Sequence, residues 1–109
     1  MSNPEIAGLR SRLTLETPVD TTDDNGGVTR TYAASGMLWG DITPAGASDR
    51  FLAERMEQAI THTIRLRFRP DITGAMRLRL GARVFFIHGV EDIDERHRFT
   101  VCRCEEIKP

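Results

Sequence analysis

The stretch Thr61-His62-Thr63-Ile64-Arg65-Leu66-Arg67-Phe68-Arg69 alternates apolar and basic side chains without a break from Ile64 onward. A period of two places Ile64, Leu66 and Phe68 on one face and Arg65, Arg67 and Arg69 on the other, which is the pattern of a strand with one buried side. Pro70 and Asp71 end the run. Met76, Leu78 and Leu80 then alternate with Arg77 and Arg79, and Gly81 turns the chain. In Val84-Phe85-Phe86-Ile87 both faces are apolar, as in a central strand. Glu91 to Arg98 is a charged connection. Phe99-Thr100-Val101-Cys102-Arg103-Cys104 reads as the closing strand, with neither face marked as the inner one.

The N-terminal half carries the same signature more weakly. Leu13 and Leu15 alternate with Arg12, Thr14 and Glu16, and Pro18 ends the regular pattern. Asp23-Asp24-Asn25-Gly26-Gly27 is a tight-turn sequence, because Asn and Gly accept the positive φ values such turns require. Val28 to Tyr32 is expected to return as a strand, and Met37 to Thr43 to form another that stops at Pro44. Between Pro44 and Thr61 the period changes. Phe51, Leu52, Met56, Ala59 and Ile60 fall on one helical stripe, with Ser48 as a candidate N-cap and Asp49 favourable in the first turn. A helix this short is marginal alone and needs a partner surface, either on this domain or on a neighbour. The expected fold is therefore all-β: one antiparallel barrel of about six strands spanning 1–109, with a short helix in a long loop at about 44–60.

Length and composition fit this reading. A chain of 109 residues with 28% charged and 39% hydrophobic residues suits one globular domain. A domain this small keeps much of its surface wet and gains stability from neighbours. No apolar run approaches the ~20 residues a bilayer span requires, and the start of the chain lacks the pattern of a signal peptide, so folding in a cytosol is expected. Cys102 and Cys104 are two residues apart on one side of a strand, too close for an unstrained disulfide, and read as reduced packing residues. The formal net charge of −1 argues against a chain that coats nucleic acid. Charge is segregated, however: residues 1–60 hold five arginines against nine carboxylates, and residues 61–109 ten basic residues against seven. That asymmetry suits head-to-tail docking of copies, unless it is incidental.

Catalysis and metal binding find little support. His62, His88 and His97 sit in no catalytic motif, and no glycine loop of the phosphate-cradling kind is present. His97, Cys102 and Cys104, with His88, are the one conceivable metal set, but His-x4-Cys-x-Cys is not a zinc spacing. The expectation is a non-enzyme without cofactor or metal.

The arginines are more informative. Were the strands bearing Arg65, Arg67 and Arg69 and bearing Arg77 and Arg79 to pair as a hairpin, like charges would face one another and require compensation. Three sources are open: acids of the same chain (Glu16, Asp41, Glu91, Asp92, Glu105 or Glu106), the acidic half of a neighbouring subunit, or phosphate backbone. Aromatic residues do not interleave with the basic face, which disfavours the last. The five arginines are the candidate subunit or partner interface.

Taken in order, several stretches resemble the phage head–tail joining family of head-closure (stopper) proteins. They are Leu9-Arg10, Leu13-Thr14-Leu15, the turn region Asp20 to Gly26, Thr31-Tyr32, Leu38 to Pro44, Thr61 to Arg69, Met76-Arg77, Arg83 to Ile87, Val90-Glu91-Asp92 and Cys104-Glu105-Glu106. The family often has Trp at the position of Tyr32 and Tyr at that of Phe85. The resemblance implies a small barrel with a partly helical loop between its second and third main strands. It further implies a ring of roughly six copies in the virion neck, with the portal and adaptor rings above and the tail terminator or tail tube below. Packaged double-stranded DNA would lie in the channel, with no membrane involved. Asp49, Arg50, Glu54, Arg55 and Glu57 become candidates for lining that channel, unless the helix merely covers one end of the barrel. The rival reading is a free barrel that binds nucleic acid or protein, or another neck or tail-terminator component.

Overall fold

Six strands and one helix follow one another along the chain: β1 (Ser11–Thr22), β2 (Val28–Pro44), α1 (Ala47–Arg55), β3 (His62–Arg67), β4 (Arg77–Leu80), β5 (Arg83–Asp92) and β6 (Phe99–Ile107). The structure, a computed structural model, describes residues 9–56, 58–92 and 95–107. The strands close in the order β1-β2-β3-β6-β5-β4, with β4 returning to β1 and every pairing antiparallel. The expected all-β barrel of six strands with a helix between the second and third is what the chain forms. Closure leaves the barrel without an open edge, the usual hazard of a small sheet.

The core is the inward half of each alternating run. Leu13, Leu15, Ile64, Leu66, Ile72, Leu78, Phe85, Ile87, Cys102 and Cys104 form one buried cluster, with Leu38, Ile42, Met76 and Leu80 packed against it. Each such side chain withdrawn from water contributes roughly 1.5–3 kcal/mol against the entropy of ordering it. Gly40 sits inside this cluster: a Cβ there would lie 2.7 Å from a methyl of Leu13 and 2.7 Å from one of Leu66. The two leucines meet across the space that glycine leaves. In β6 the inner face is Thr100, Cys102 and Cys104. Thr100 Oγ1 is satisfied there by accepting the Arg69 amide at 3.1 Å, while Phe99 and Val101 turn outward. Arg65 lies over the Phe99 ring at 5.1 Å, which keeps that outward aromatic covered.

Both thiols are free and buried, as reduced packing residues. Burial pushes the Cys102 thiol up to about 12, and burial followed by proximity to Cys102 raises that of Cys104. A group protonated more tightly in the folded state contributes its full stability below the unfolded value of 9.0 and loses it as pH climbs toward the folded one. Stability is therefore expected to fall by roughly 1 kcal/mol per thiol between pH 8 and pH 10. Urea midpoints at the two pH values check this. The slope flattens in a Cys102→Ala/Cys104→Ala chain if the thiols are its source.

Three local expectations need correction. Pro18 does not end the first strand: β1 continues through it, with Pro18 opposite Tyr32. Beyond Glu16, β1 has left β4, so Pro18 stands on a strand whose other edge faces solvent, where a missing amide costs nothing. Val28–Tyr32 and Met37–Thr43 are not separate strands but one of 17 residues. The register slips between Leu15 and Glu16, leaving Ser35 as a bulge between Ala34 and Gly36, so the inward phase changes partway along the strand. Ser48 is not the N-cap of the helix; Gly46 is, with no side-chain cap.

Past the bulge, β1 and β2 run on as a two-stranded ribbon outside the barrel. The Asp20 carboxylate accepts two hydrogen bonds from Arg30, at 2.7 and 3.0 Å. In the expected turn, Asp23 Oδ1 accepts the amides of Asn25 (2.9 Å) and Gly27 (2.7 Å), and Gly26 takes φ +82°. The ribbon makes the molecule long, at 59 × 32 × 28 Å.

Candidate interaction surfaces

The excursion between β2 and β3 begins and ends at one place. The Ala45 amide donates to the Thr61 carbonyl (2.9 Å) and the Thr61 amide to the Cys104 carbonyl (2.9 Å), which fastens both feet to the barrel wall. Thr61 Oγ1 also accepts the Glu106 amide at 2.7 Å. Between the feet, α1 is held by a small apolar cluster of Ala45, Ala53 and Ile60, separate from the barrel core. Asp49 adds a contact to Arg103 at 3.6 Å, and Arg103 in turn donates to Glu91 at 2.6 Å. The hydrogen bond to Glu91, with the further help of Asp49, keeps the Arg103 guanidinium protonated beyond its ordinary range despite partial burial.

Only part of the helical stripe finds its surface on this domain. Ile60 is in the cluster, but Phe51 is 61% exposed, Leu52 44% and Met56 57%. On a helix Leu52 and Met56 fall beside Asp49 and border the crevice toward His88, Gly89 and Arg103. Phe51 lies with Arg50, Glu54 and Arg55 on the side turned away, and those three charges make no ion pair among the described residues. Of the five channel candidates, the structure thus brings Arg50, Glu54 and Arg55 together on an exposed face and holds Asp49 against the barrel. Glu57 lies outside the described residues.

The five arginines are dispersed over two pairs of neighbours. β3 lies between β2 and β6, and β4 between β1 and β5, so the hairpin that would set them face to face is not formed. Compensation comes largely from the same chain. Glu16 receives Arg77 through a short hydrogen bond and Arg79 at 3.4 Å. Asp41 faces Arg65 at 3.7 Å, and Asp71 accepts two bonds from Arg69 at 3.1 and 2.8 Å. That fork from Arg69 holds the Asp71 carboxyl below the usual carboxylate range. Asp71 was not among the acids expected, because it lies only two residues beyond its arginine. Arg67 alone of the five is exposed with no ion pair among the described residues. The Arg77 guanidinium is further enclosed by Tyr32 (3.9 Å) and Phe86 (5.7 Å), which are themselves edge to face at 5.9 Å.

The histidines and cysteines do not converge. Both thiols point into the core, His88 pairs with Glu105 at 2.9 Å, and His97 stacks on Phe68 with ring centroids 4.4 Å apart. His62 lies edge to face with Phe85 and 3.8 Å from Glu106. Among the described residues no three metal-ligating side chains form a cluster, and no helix is long and apolar enough to cross a membrane.

A groove escaped the sequence reading. Pairing of β2 with β3 stops at Gly40 and Leu66, after which β2 continues with β1 while residues 67–69 bend toward β6. The splay opens a groove of about 580 Å³ lined by Leu9, Leu38, Trp39, Arg67 and Arg69. Trp39 is 55% exposed beside it. The only signal in the sequence was a large aromatic on the outward phase of a strand, which has no use in the barrel itself.

Comparison with known proteins gives a consistent picture. The family model for phage head completion proteins matches residues 4–107. A chain from the virion of a native gene transfer agent particle shares 26% identity at a TM-score of 0.66, over 93% of this chain and 97% of that one. Protein SF1141 from Shigella flexneri 2a, solved in solution, shares 28% identity at a TM-score of 0.67, over 91% and 95%. A comparison with curated proteins gives no match. With a family match over nearly its whole length and the barrel topology in place, the chain belongs to the phage head completion protein family and is a structural protein of a phage or phage-like virion.

Proposed function

We propose that this chain forms the head-closure ring at the head–tail junction, docking below the portal or adaptor ring and offering the tail its attachment surface. In this reading roughly six copies surround the channel, and the excursion at about 44–60 points toward the axis, where it helps retain packaged DNA. The observation that carries the proposal is α1. Its outward side bears Arg50, Phe51, Glu54 and Arg55 in solvent, while packing of Ala53 with Ala45 and Ile60 and one charge pair hold its other side.

Such a segment suits a gate physically. A gate needs a rigid frame and a piece that opens at low cost, and local opening is cheapest where few apolar contacts are lost. The closed barrel is the frame. Its feet at Ala45 and Thr61 keep the moving piece in register while the helix shifts. Mixed charge on the exposed side, rather than a basic stripe, lets DNA pass without the counterion-release affinity that a row of arginines would create. Nor does this role need a catalytic group, which fits a structural family. Removal of the chain from the producing bacterium tests the reading. Heads that package DNA but lose it and lack tails are expected; tailed, DNA-filled particles made without the chain would overturn it.

A further inference from the structure

We propose that the acidic tip of the β1–β2 ribbon of one copy seats in the β2/67–69 groove of the next copy, so that ribbon and groove form the head-to-tail contact of the ring. The inference rests on the ring reading above and adds to it which surfaces meet.

The ribbon has the features of an arm with a missing partner. Residues 19–31 are exposed throughout, and a lone two-stranded ribbon is marginal in water. Its tip carries Asp23 and Asp24 with no cation paired to either among the described residues, next to Val28, which is 66% exposed. The groove offers the complement: an apolar lining of Leu9, Leu38 and Trp39, and Arg67 at its rim without an acid. Arg12, exposed and opposite Trp39 in the strand register, adds a second positive charge. Arg69 contributes less, since Asp71 already balances it. Acid with a flanking valine thus faces base with a flanking tryptophan.

Reach decides between self and neighbour. From Val28 to Trp39 is eleven steps along one strand, or ~36 Å at strand rise, so a tip cannot fold back to its own groove. The long dimension of 59 Å is about twice the other two, 32 and 28 Å, so the ribbon carries its tip about one barrel width outside its own barrel. A touching neighbour presents its wall at that distance. Two different patches joined this way make a heterologous contact, which closes into a ring when the rotation permits and fixes the direction of every subunit in it.

Thiol cross-linking tests the contact in assembled particles. The buried Cys102 and Cys104 stay silent to maleimides in the folded chain, so an Asn25→Cys/Arg12→Cys chain is read without background through a short bismaleimide. A ladder at multiples of one copy's mass, absent from either single-cysteine chain, is expected. Particles that contain the chain yet give no ladder, or give a band joining it to a different protein, would overturn the contact and leave the ring reading standing. Absence of the wild-type chain from particles would overturn the ring reading itself. Should the double-cysteine chain not assemble, charge reversal decides: Asp24→Arg or Arg67→Glu alone should cut incorporation about tenfold, and the two together should restore it. Wild-type incorporation of both single variants would overturn the contact.

Discussion

Particles assembled with residues 46–58 replaced by a Gly-Ser linker are expected to lose packaged DNA or tails, with tailed, DNA-filled particles falling at least about tenfold. The replacement is chosen because it separates gate from frame. It removes α1 and Ala53 but leaves both feet, since Ala45 and Thr61 keep their mutual hydrogen bond and Thr61 keeps Cys104. The barrel core shares no member with the Ala45, Ala53 and Ile60 cluster, so ten buried side chains remain packed as before. The expected loss of stability comes from uncovering Ala45 and Ile60 and from releasing Arg103 from Asp49, about 1–2 kcal/mol in all, since Arg103 keeps Glu91. Thermal unfolding of the purified chain checks that the frame survives. With an intact frame, particles that keep their DNA and tails at wild-type levels would show that α1 is not the gate.

The second large effect is expected at Glu16, which is 8% exposed and is the shared counter-charge of two arginines. Glu16→Gln keeps the shape but leaves Arg77 enclosed by Tyr32 and Phe86 with no acid beside it. Removing one partner of a buried ion pair costs about 3–5 kcal/mol, because the remaining charge stays desolvated. Arg79 is the more exposed of the two partners and recovers water on losing Glu16, so about 2–4 kcal/mol is expected here. For a chain of this size that lowers Tm by roughly 10 °C or more. Urea unfolding provides the measurement. A companion Glu16→Gln/Arg77→Met chain should recover part of the loss, because the buried charge is then gone along with its partner. If Glu16→Gln alone costs under about 0.5 kcal/mol, the pair is a surface bridge and not a fastening of β1 to β4.

These two sites also mark how far the fold could be read from residues alone. Strands whose faces differ in chemistry were legible. Ile64 and Leu66 against Arg65 and Arg67 leave one choice of inner face, and Asp23 to Gly27 admits little but a turn. β6 was legible as a strand but not as a face, because Phe99 and Val101 are as apolar as Cys102 and Cys104. What settles it is Arg65 from β3 lying over Phe99. The long β2 was read as two pieces because the bulge at Ser35 changes the phase of alternation, and a bulge leaves no compositional mark when the extra residue is a serine.

Pairing partners were the least legible feature. Glu16 and Arg77 are 61 residues apart and meet only because β4 returns to β1 to close the barrel. A pattern with period two says which residues share a face; it does not say which strand lies alongside. The arginine rows consequently posed a question of compensation whose answer lay in topology. The loop at 44–60 was legible by its change of period, but the stripe alone does not say whether the surface it needs belongs to this domain or to a neighbour. Phe51, Leu52 and Met56 are helical in spacing and exposed in fact, the pattern of a surface that meets something outside this chain.

The most direct measurement of the central claim is a cryo-EM reconstruction of the neck of the parent particle at side-chain resolution. The expected map shows this barrel repeated as a ring below the adaptor, with Arg50, Phe51, Glu54 and Arg55 of α1 turned to the channel axis. A map that places the chain outside the neck, or that turns α1 toward bulk solvent, would contradict the account.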